Sequence, residues 1–510
     1  MTEFEHRLSP AARRARAADA LELSAVQTLE TRIGRSIPKL VTGIPGFDAI
    51  TMGGLPRRRA TVLAGQAGSG KTIFAAHFLA EGVRRGQPGV LVTLEEPAAD
   101  LRANLATLGW DIAAWEATHD FEIVDASPLV RDDGDLATYS FDTLAAQIGH
   151  AVDATGADRL VLDSLNTVLG FDDNASLARQ RLRRLIATLR AMGLTVLMTV
   201  ETPTDPGMSL SRHGMEEFVA DSVILLRHIH EGTVRRRSVE VLKMRGAMHR
   251  KGEHGFTVLP GQGVVVLPQA IISTHDATQP QRITTGNPGL DQMSHGGFFQ
   301  DSTVLVSGPT GTGKTLLATQ FLAGGAAGGE RSLLLAYEQS AGEILRNAAA
   351  CGIDLVPHLD AGLLKIVALY PEVANLDDHL VEMMEAVDDF RPARLVVDSL
   401  SSLARVGTPE SYRRFVTGLT GFVKQEQIAA LMTMTSSSLL GAPAGSENEV
   451  LTMTDGLVLL RYFEAAGRVQ RALTLVKLRG TRHDLDVRSY DIGVGGLILG
   501  EPLGLAESGR

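Results

Sequence analysis

Gly65-Gln66-Ala67-Gly68-Ser69-Gly70-Lys71-Thr72 and Gly308-Pro309-Thr310-Gly311-Thr312-Gly313-Lys314-Thr315 both fit the pattern G-x-x-x-x-G-K-[ST]. Each follows a short apolar run, Thr61-Val62-Leu63-Ala64 or Val304-Leu305-Val306, and each precedes a stretch of helical character. Strand, glycine-rich loop and helix in that order form the setting in which this pattern binds phosphate. Glycines let successive backbone N–H groups turn into one concavity, and the helix behind adds its positive dipole end. The nucleotide contacts expected are Gly65, Gly68, Ser69, Gly70, Lys71 and Thr72, and again Gly308, Gly311, Thr312, Gly313, Lys314 and Thr315. Lys71 and Lys314 are expected on the β- and γ-phosphates, and Thr72 and Thr315 on Mg²⁺. The ordinary alternative, a Gly-rich turn, does not account for two copies in matched context.

The similarity between the two halves extends well past the loop. Thr42-Gly43-Ile44-Pro45-Gly46-Phe47-Asp48 returns as Thr285-Gly286-Asn287-Pro288-Gly289-Leu290-Asp291, and Gly53-Gly54-Leu55 returns as Gly296-Gly297-Phe298. Arg159-Leu160-Val161-Leu162-Asp163-Ser164-Leu165 matches Arg394-Leu395-Val396-Val397-Asp398-Ser399-Leu400, and Lys243-Met244-Arg245-Gly246 matches Lys477-Leu478-Arg479-Gly480. Lys314 follows Lys71 by 243 positions, so each copy is large enough for a core of its own. The organisation expected is a leader over 1–35, a first nucleotide-binding domain over 36–260, a linker over 261–281, a second domain over 282–495 and a short tail over 496–510. A short helix carrying Leu21, Leu23, Val26 and Leu29 is expected within the leader.

Within the first copy, strands are expected at Val90–Leu94, Leu160–Leu162 and Leu194–Met198. Between the last two, Leu182, Leu185, Ile186 and Leu189 fall at helical spacing. The opposite face holds Arg179, Arg183, Arg184 and Arg190, which reads as a solvated face. Strands alternating with helices predict an α/β fold in each copy, a mainly parallel sheet flanked by helices with ligands at the strands' carboxyl ends.

The 510 residues are 44% hydrophobic and 21% charged, with one cysteine, Cys351, which excludes an intrachain disulfide and fits a reducing cytoplasm. No apolar run is long enough to span a membrane, and residues 1–20 lack a signal core. A net charge of −10 gives no global attraction for nucleic acid.

The remaining chemistry is read from strand ends. Asp163 and Asp398 close apolar runs and are expected to hold the Mg²⁺ shell with Thr72 and Thr315. Leu91-Val92-Thr93-Leu94 leads into Glu95-Glu96, a carboxylate pair placed to orient water toward a γ-phosphate. In the second copy the same position reads Glu338-Gln339, and an amide does not take up a proton near neutrality. The two sites are therefore expected to differ. Lys243 with Arg245, and Lys477 with Arg479, alternate on strands and are expected to reach the nucleotide of a neighbouring subunit.

These residues resemble the KaiC family, circadian-clock ATPases and autokinases with tandem RecA-like domains. The resemblance covers about residues 36 to 490 and rests on the duplication, Gly46-Phe47-Asp48, Gly53-Gly54-Leu55-Pro56, Glu95-Glu96-Pro97, Lys243-Met244-Arg245-Gly246 and the stretch from Ser211 to Phe218. It implies two rings in a homohexamer, with ATP between protomers. It further implies hydrolysis in the first ring and transfer of phosphate to Ser/Thr acceptors of the adjacent protomer in the second. Aligned through Thr454-Asp455, the family's acceptor threonine falls on Thr452, its acceptor serine on Leu451, and a further threonine on Ser446. Glu338 matches the base for hydroxyl attack, whereas Gln339 departs from the second carboxylate. Thr452 is thus the expected acceptor, with Ser446 and Thr454 as the competing candidates. The tail that binds the family's activator KaiA is expected to be absent. With Leu451 in place of the serine, the sequence does not itself argue for a clock output. The partner is left open between a KaiB-like protein, a histidine kinase and others.

Two further readings share the fold. A RecA- or RadA-like DNA-dependent ATPase needs basic loops, and Glu201–His213 and Ser437–Val450 carry few or none. A scaffold in which ATP only joins protomers fits the amide at Gln339.

Overall fold

The computed structural model describes residue 12 and residues 37–127, 141–166, 175–202, 219–231, 234–267, 281–436, 446–465 and 467–503. The proposed leader helix lies outside them, as does the stretch from Ser211 to Phe218. The chain divides into two compact units, Met1–Ile229 with Arg235–Pro268, and His230–Val234 with Gln269–Arg510. Each is an α/β domain built on one nine-stranded sheet.

In the first unit, strands β1 (Ala60–Gly65), β2 (Gly89–Thr93), β3 (Phe121–Asp125), β4 (Arg159–Asp163), β5 (Thr195–Glu201), β6 (Ser222–Glu231), β7 (Val234–Met244), β8 (Glu253–Leu259) and β9 (Gly263–Val266) form one sheet. Its order is β3-β2-β4-β5-β1-β6-β7-β8-β9. The strands from β3 to β6 pair parallel, and β7, β8 and β9 pair antiparallel. Helices α1 (Lys71–Arg84), α2 (Ala98–Ala106), α3 (Phe141–Thr155) and α4 (Ala175–Ala191) supply the crossovers. The period-2 alternation of strand side chains divides the core. Leu63, Leu91, Val161 and Leu197 pack with Phe74 and Phe78 of α1, while Val62, Val90, Leu160 and Val196 pack with Leu182, Leu185 and Leu189 of α4.

The second unit repeats this plan with β10 (Thr303–Gly308), β11 (Ser332–Ala336), β12 (Leu364–Ala368), β13 (Arg394–Asp398), β14 (Ala429–Thr435), β15 (Gly456–Ala465), β16 (Arg468–Leu478), β17 (Val487–Gly493) and β18 (Gly496–Pro502). The order is β12-β11-β13-β14-β10-β15-β16-β17-β18, the same topology strand for strand. Its helices include α5 (Lys314–Ala327), α6 (Ala341–Ala350), α7 (Leu376–Phe390), α8 (Pro409–Gln425) and α9 (Ser446–Met453).

Three sequence expectations are corrected. The segment read as a linker from 261 begins with β9, whose Val264, Val265 and Val266 are fully buried. The tail read from 496 contains β18, which pairs with β17. In both cases glycine marks a hairpin turn between strands rather than the end of the sheet. On α4, Arg190 is not a purely solvated residue: it pairs with buried Asp221, which Arg59 also holds at 2.9 Å.

A buried arginine fastens the lead-in segment of each unit to its sheet. Arg159 is fully buried, donates through Nη1 to the carbonyls of Val41 (2.9 Å) and Phe78 (2.6 Å), and lies 4.6 Å over the Phe78 ring. Arg394 does the same with Thr284 (2.7 Å), Phe321 (2.9 Å) and the Phe321 ring at 4.8 Å. Asp48 then closes the lead-in turn by accepting from the N–H groups of Thr42 and Gly43 and from the Thr42 hydroxyl.

Arg159→Met strands two buried carbonyls and is expected to cost about 3 kcal/mol, read as a lower denaturant midpoint. Burial lifts the Asp48 carboxyl to about 6, despite those hydrogen bonds from Thr42 and Gly43. The folded state therefore holds a proton that the unfolded chain releases. Stability relative to Asp48→Asn should fall as pH rises from about 4 to about 6 and be level on either side. A difference that rises or stays flat across that window contradicts the assignment.

Candidate nucleotide sites

Each loop leaves the carboxyl end of the central strand and turns directly into a helix. Gly70 and Gly313, the residues before α1 and α5, have φ of 92° and 94°, a left-handed conformation that glycine takes without strain. The first glycine is needed for a different reason. A Cβ on Gly308 would lie 2.4 Å from the Leu460 carbonyl oxygen of the neighbouring strand, and one on Gly65 2.8 Å from that of Leu226. The lysines fold over their own loops. Lys71 Nζ donates to the carbonyls of Gly65 and Gln66, both at 2.9 Å, and Lys314 Nζ to those of Gly308 (2.9 Å) and Pro309 (3.0 Å). Burial lowers both ammonium groups from the usual lysine value, against nearby carboxylates.

The expected metal residues meet. Thr72 Oγ1 donates to Asp163 Oδ2 at 2.7 Å, and Thr315 Oγ1 to Asp398 Oδ2 at 2.8 Å. The other oxygen of each aspartate accepts from Thr199 or Thr433, one strand over. Burial raises the Asp398 carboxyl, opposed by the hydrogen bonds from Thr433 and Thr315. No cluster of three or more His, Cys, Asp or Glu side chains suited to a metal occurs among the described residues. A single carboxylate beside a hydroxyl and a phosphate cradle is the donor set that suits Mg²⁺, which keeps waters and takes its remaining oxygens from a substrate phosphate.

The carboxylate pair arrives at the same place. Glu95 Oε1 accepts from Ser164 at 2.7 Å, and Glu338 Oε1 accepts from Ser399 (2.6 Å) and Ser402 (2.7 Å). Glu96 accepts from Asn104 of α2, and Gln339 Oε1 from Asn347 of α6 at 3.4 Å. The amide thus meets the equivalent asparagine, eight residues on, as the carboxylate does. A cavity of about 180 Å³ in the first unit is lined by Lys71, Thr72, Glu95, Glu96 and Asp163. One of about 330 Å³ in the second is lined by Lys314, Thr315, Glu338, Gln339 and Asp398.

Several lining residues escaped the sequence reading, Glu201, Cys351 and Thr435 among them. Glu201, at the end of β5, faces the first cavity, and Cys351 lines the second. The signal for Glu201 was its position at the close of an apolar strand, the same signal that exposed Asp163.

The basic pairs lie elsewhere. Lys243 Nζ donates to the Ala220 carbonyl at 2.9 Å, and the Arg245 backbone N–H to that of Asp221 at 3.0 Å. In the second unit, Lys477 Nζ donates to the carbonyls of Leu451 (2.8 Å) and Thr454 (2.5 Å), and Arg479 Nη2 to that of Thr452 (3.0 Å). These are the last carbonyls of α9, where cations complement the helix dipole. The Thr452 side chain is exposed; the side chain of Ser446 and residues 437–445 lie outside the described residues.

The loop geometry predicts that Gly308→Ala forces β10 away from β15 and costs about 2 kcal/mol or more, seen as a lower melting temperature. Gly342→Ala, with no positive φ and open space around its Cβ, controls for adding a methyl group without a clash.

The family model for the KaiC ATPase matches residues 40–271 and again 283–503. The chain is 45% identical over 467 residues to the circadian clock protein KaiC3 of Synechocystis sp., covering 91% of this chain and 92% of that protein. It is 42% identical to the circadian clock oscillator protein KaiC of Prochlorococcus marinus, with 89% and 91% covered. Against the protein of that name from Synechococcus elongatus the identity is 40%, with 90% and 88% covered. With two phosphate loops, each beside a threonine–aspartate pair, and two full family domains end to end, this chain belongs to the KaiC family of ATPases.

Proposed function

We propose that the chain is a KaiC-like homohexameric ATPase that hydrolyses ATP in its first domain and phosphorylates itself on Thr452 through its second. The observation that carries this reading is the duplicated cavity in which lysine, threonine, aspartate and glutamate converge at the mouth of a phosphate loop. Mg²⁺ bound with ATP would be held from Thr72 and Asp163, or Thr315 and Asp398, and would neutralise charge on the phosphates. In the first site Glu95 and Glu96 orient water and accept its proton.

In the second site Glu338 is the retained base. The Thr452 hydroxyl attacks the γ-phosphorus, its proton passes to Glu338, and the bond to the bridging oxygen breaks to release ADP. Exposure of Thr452 supports this role, and Ser446 is the second candidate acceptor.

Completion of the first site by another copy is supported by cavity size, and the hexamer itself follows from the family resemblance. The first cavity, as bounded by the described residues, is about 180 Å³, below the roughly 300–1,000 Å³ of small-molecule sites. It accommodates phosphates and leaves the rest of the nucleotide to be covered by another copy, whose Lys243 and Arg245, or Lys477 and Arg479, complete the site. Gln339 favours one second reading for the second domain alone, ATP as an assembly ligand without turnover. Partners of the KaiB or histidine-kinase type belong to the same proposal. The described helices include none long and apolar enough to cross a membrane, in keeping with a proposed cytoplasmic location.

Glu95→Gln combined with Glu96→Gln should remove most ATP turnover, by about a hundredfold, while nucleotide binding persists. Unchanged phosphate release in the double variant contradicts the base assignment. Incubation with γ-labelled ATP should label the wild type, and Thr452→Ala should lose most of that label. Full label on Thr452→Ala moves the acceptor, and no label on the wild type leaves the assembly-ligand reading.

A further inference from the structure

The two cavities share a backbone plan and differ in charge. Among the described residues, the first sets Lys71 against Glu95, Glu96, Asp163 and Glu201. The second sets Lys314 against Glu338 and Asp398 only. One difference is the Glu96/Gln339 exchange. The other arises at a single register position: Glu201 pairs with Gly65, the first residue of its loop, as Thr435 pairs with Gly308.

The position is held firmly in both units. Asn166 clasps Glu201 by accepting from its backbone N–H at 3.0 Å and donating to its carbonyl at 3.3 Å. Ser401, at the matching place after Asp398, accepts from the Thr435 N–H at 2.7 Å. The end of the strand is therefore fixed beside the loop, and only the side chain decides whether a negative charge stands at its edge.

We propose that Glu201 makes the first site accept a nucleoside triphosphate only as its divalent-cation complex, whereas the second site, with Thr435 at that register, tolerates the metal-free nucleotide. This rests on the nucleotide reading of both loops. A free triphosphate carries about four negative charges near neutrality, and each nearby carboxylate repels it; a bound divalent cation cancels half of that charge. Glu201 thus acts as a specificity residue, one that rejects an uncomplexed anion rather than one that reacts.

The test is equilibrium binding of the non-hydrolysable β,γ-imido analogue of ATP to the full chain, in excess Mg²⁺ and in excess EDTA. Lys314→Ala reports the first site and Lys71→Ala the second, each checked for folding by circular dichroism. Removing Mg²⁺ should weaken the first site at least tenfold more than the second. In the Lys314→Ala chain, Glu201→Thr and the size-matched Glu201→Gln should each restore metal-free binding by about tenfold, the worth of roughly 1.4 kcal/mol from one charge. In the Lys71→Ala chain, Thr435→Glu should impose the metal requirement on the second site. Equal sensitivity of the two sites to EDTA, or no response to Glu201→Thr, Glu201→Gln and Thr435→Glu, overturns the proposal. Absence of analogue binding at both sites in excess Mg²⁺ overturns the nucleotide reading itself, so the two failures are distinct.

Discussion

A run of backbone N–H groups curled toward one point is unfavourable unless something holds the curl. In each unit that holding comes from the strand beneath and the lysine above. β1 and β10 are hydrogen-bonded on both sides by parallel neighbours, which fixes where the loop begins. Lys71 and Lys314 tie the loop to itself through its own carbonyls. Everything else in the site is placed relative to that edge. The aspartate ends the second strand over, the threonine ends none but heads the helix, and their hydrogen bond joins the two across the intervening strand.

The sequence disclosed whatever depended on local chemistry. The glycine spacing gave the loops, the apolar runs gave the inner strands, and residues at the ends of those runs gave Asp163, Asp398, Glu95 and Glu338. It did not disclose what depends on register between distant strands. Glu201 looks like an ordinary strand-terminal residue until its pairing with Gly65 brings it to the phosphate loop. Arg159 and Arg394 were visible as the start of a repeated motif, but their burial under Phe78 and Phe321 was not, because an arginine before a strand ordinarily faces solvent. Strands β9 and β18 were missed for the opposite reason: they follow glycines, and a short strand after a hairpin has no periodicity long enough to separate it from a linker.

The basic pairs show how one residue type serves two neighbourhoods. Lys477 and Arg479 end the strand that lies against α9, and their donors reach the carbonyls of Leu451, Thr452 and Thr454. Those carbonyls have no intrahelical partner at the helix end, so the cations stabilise the segment that carries the candidate acceptor. Asp455 adds a third tie by pairing with Lys424 at 3.0 Å. Whatever draws these cations toward another phosphate must also release the end of α9.

Duplication with divergence has left the two sites alike in strand order and register and unlike in their charge. Glu96 and Gln339 reach equivalent asparagines, and Glu201 and Thr435 occupy one register. The charge difference needs no change of strand register. In the functions proposed above, removing one carboxylate takes away a proton acceptor, and removing a second changes what form of anion the cradle admits. The rigid strand ends make such single-residue changes effective. In a site on flexible loops the same substitutions would be diluted by rearrangement, whereas here each side chain stands at a position that the sheet has already chosen.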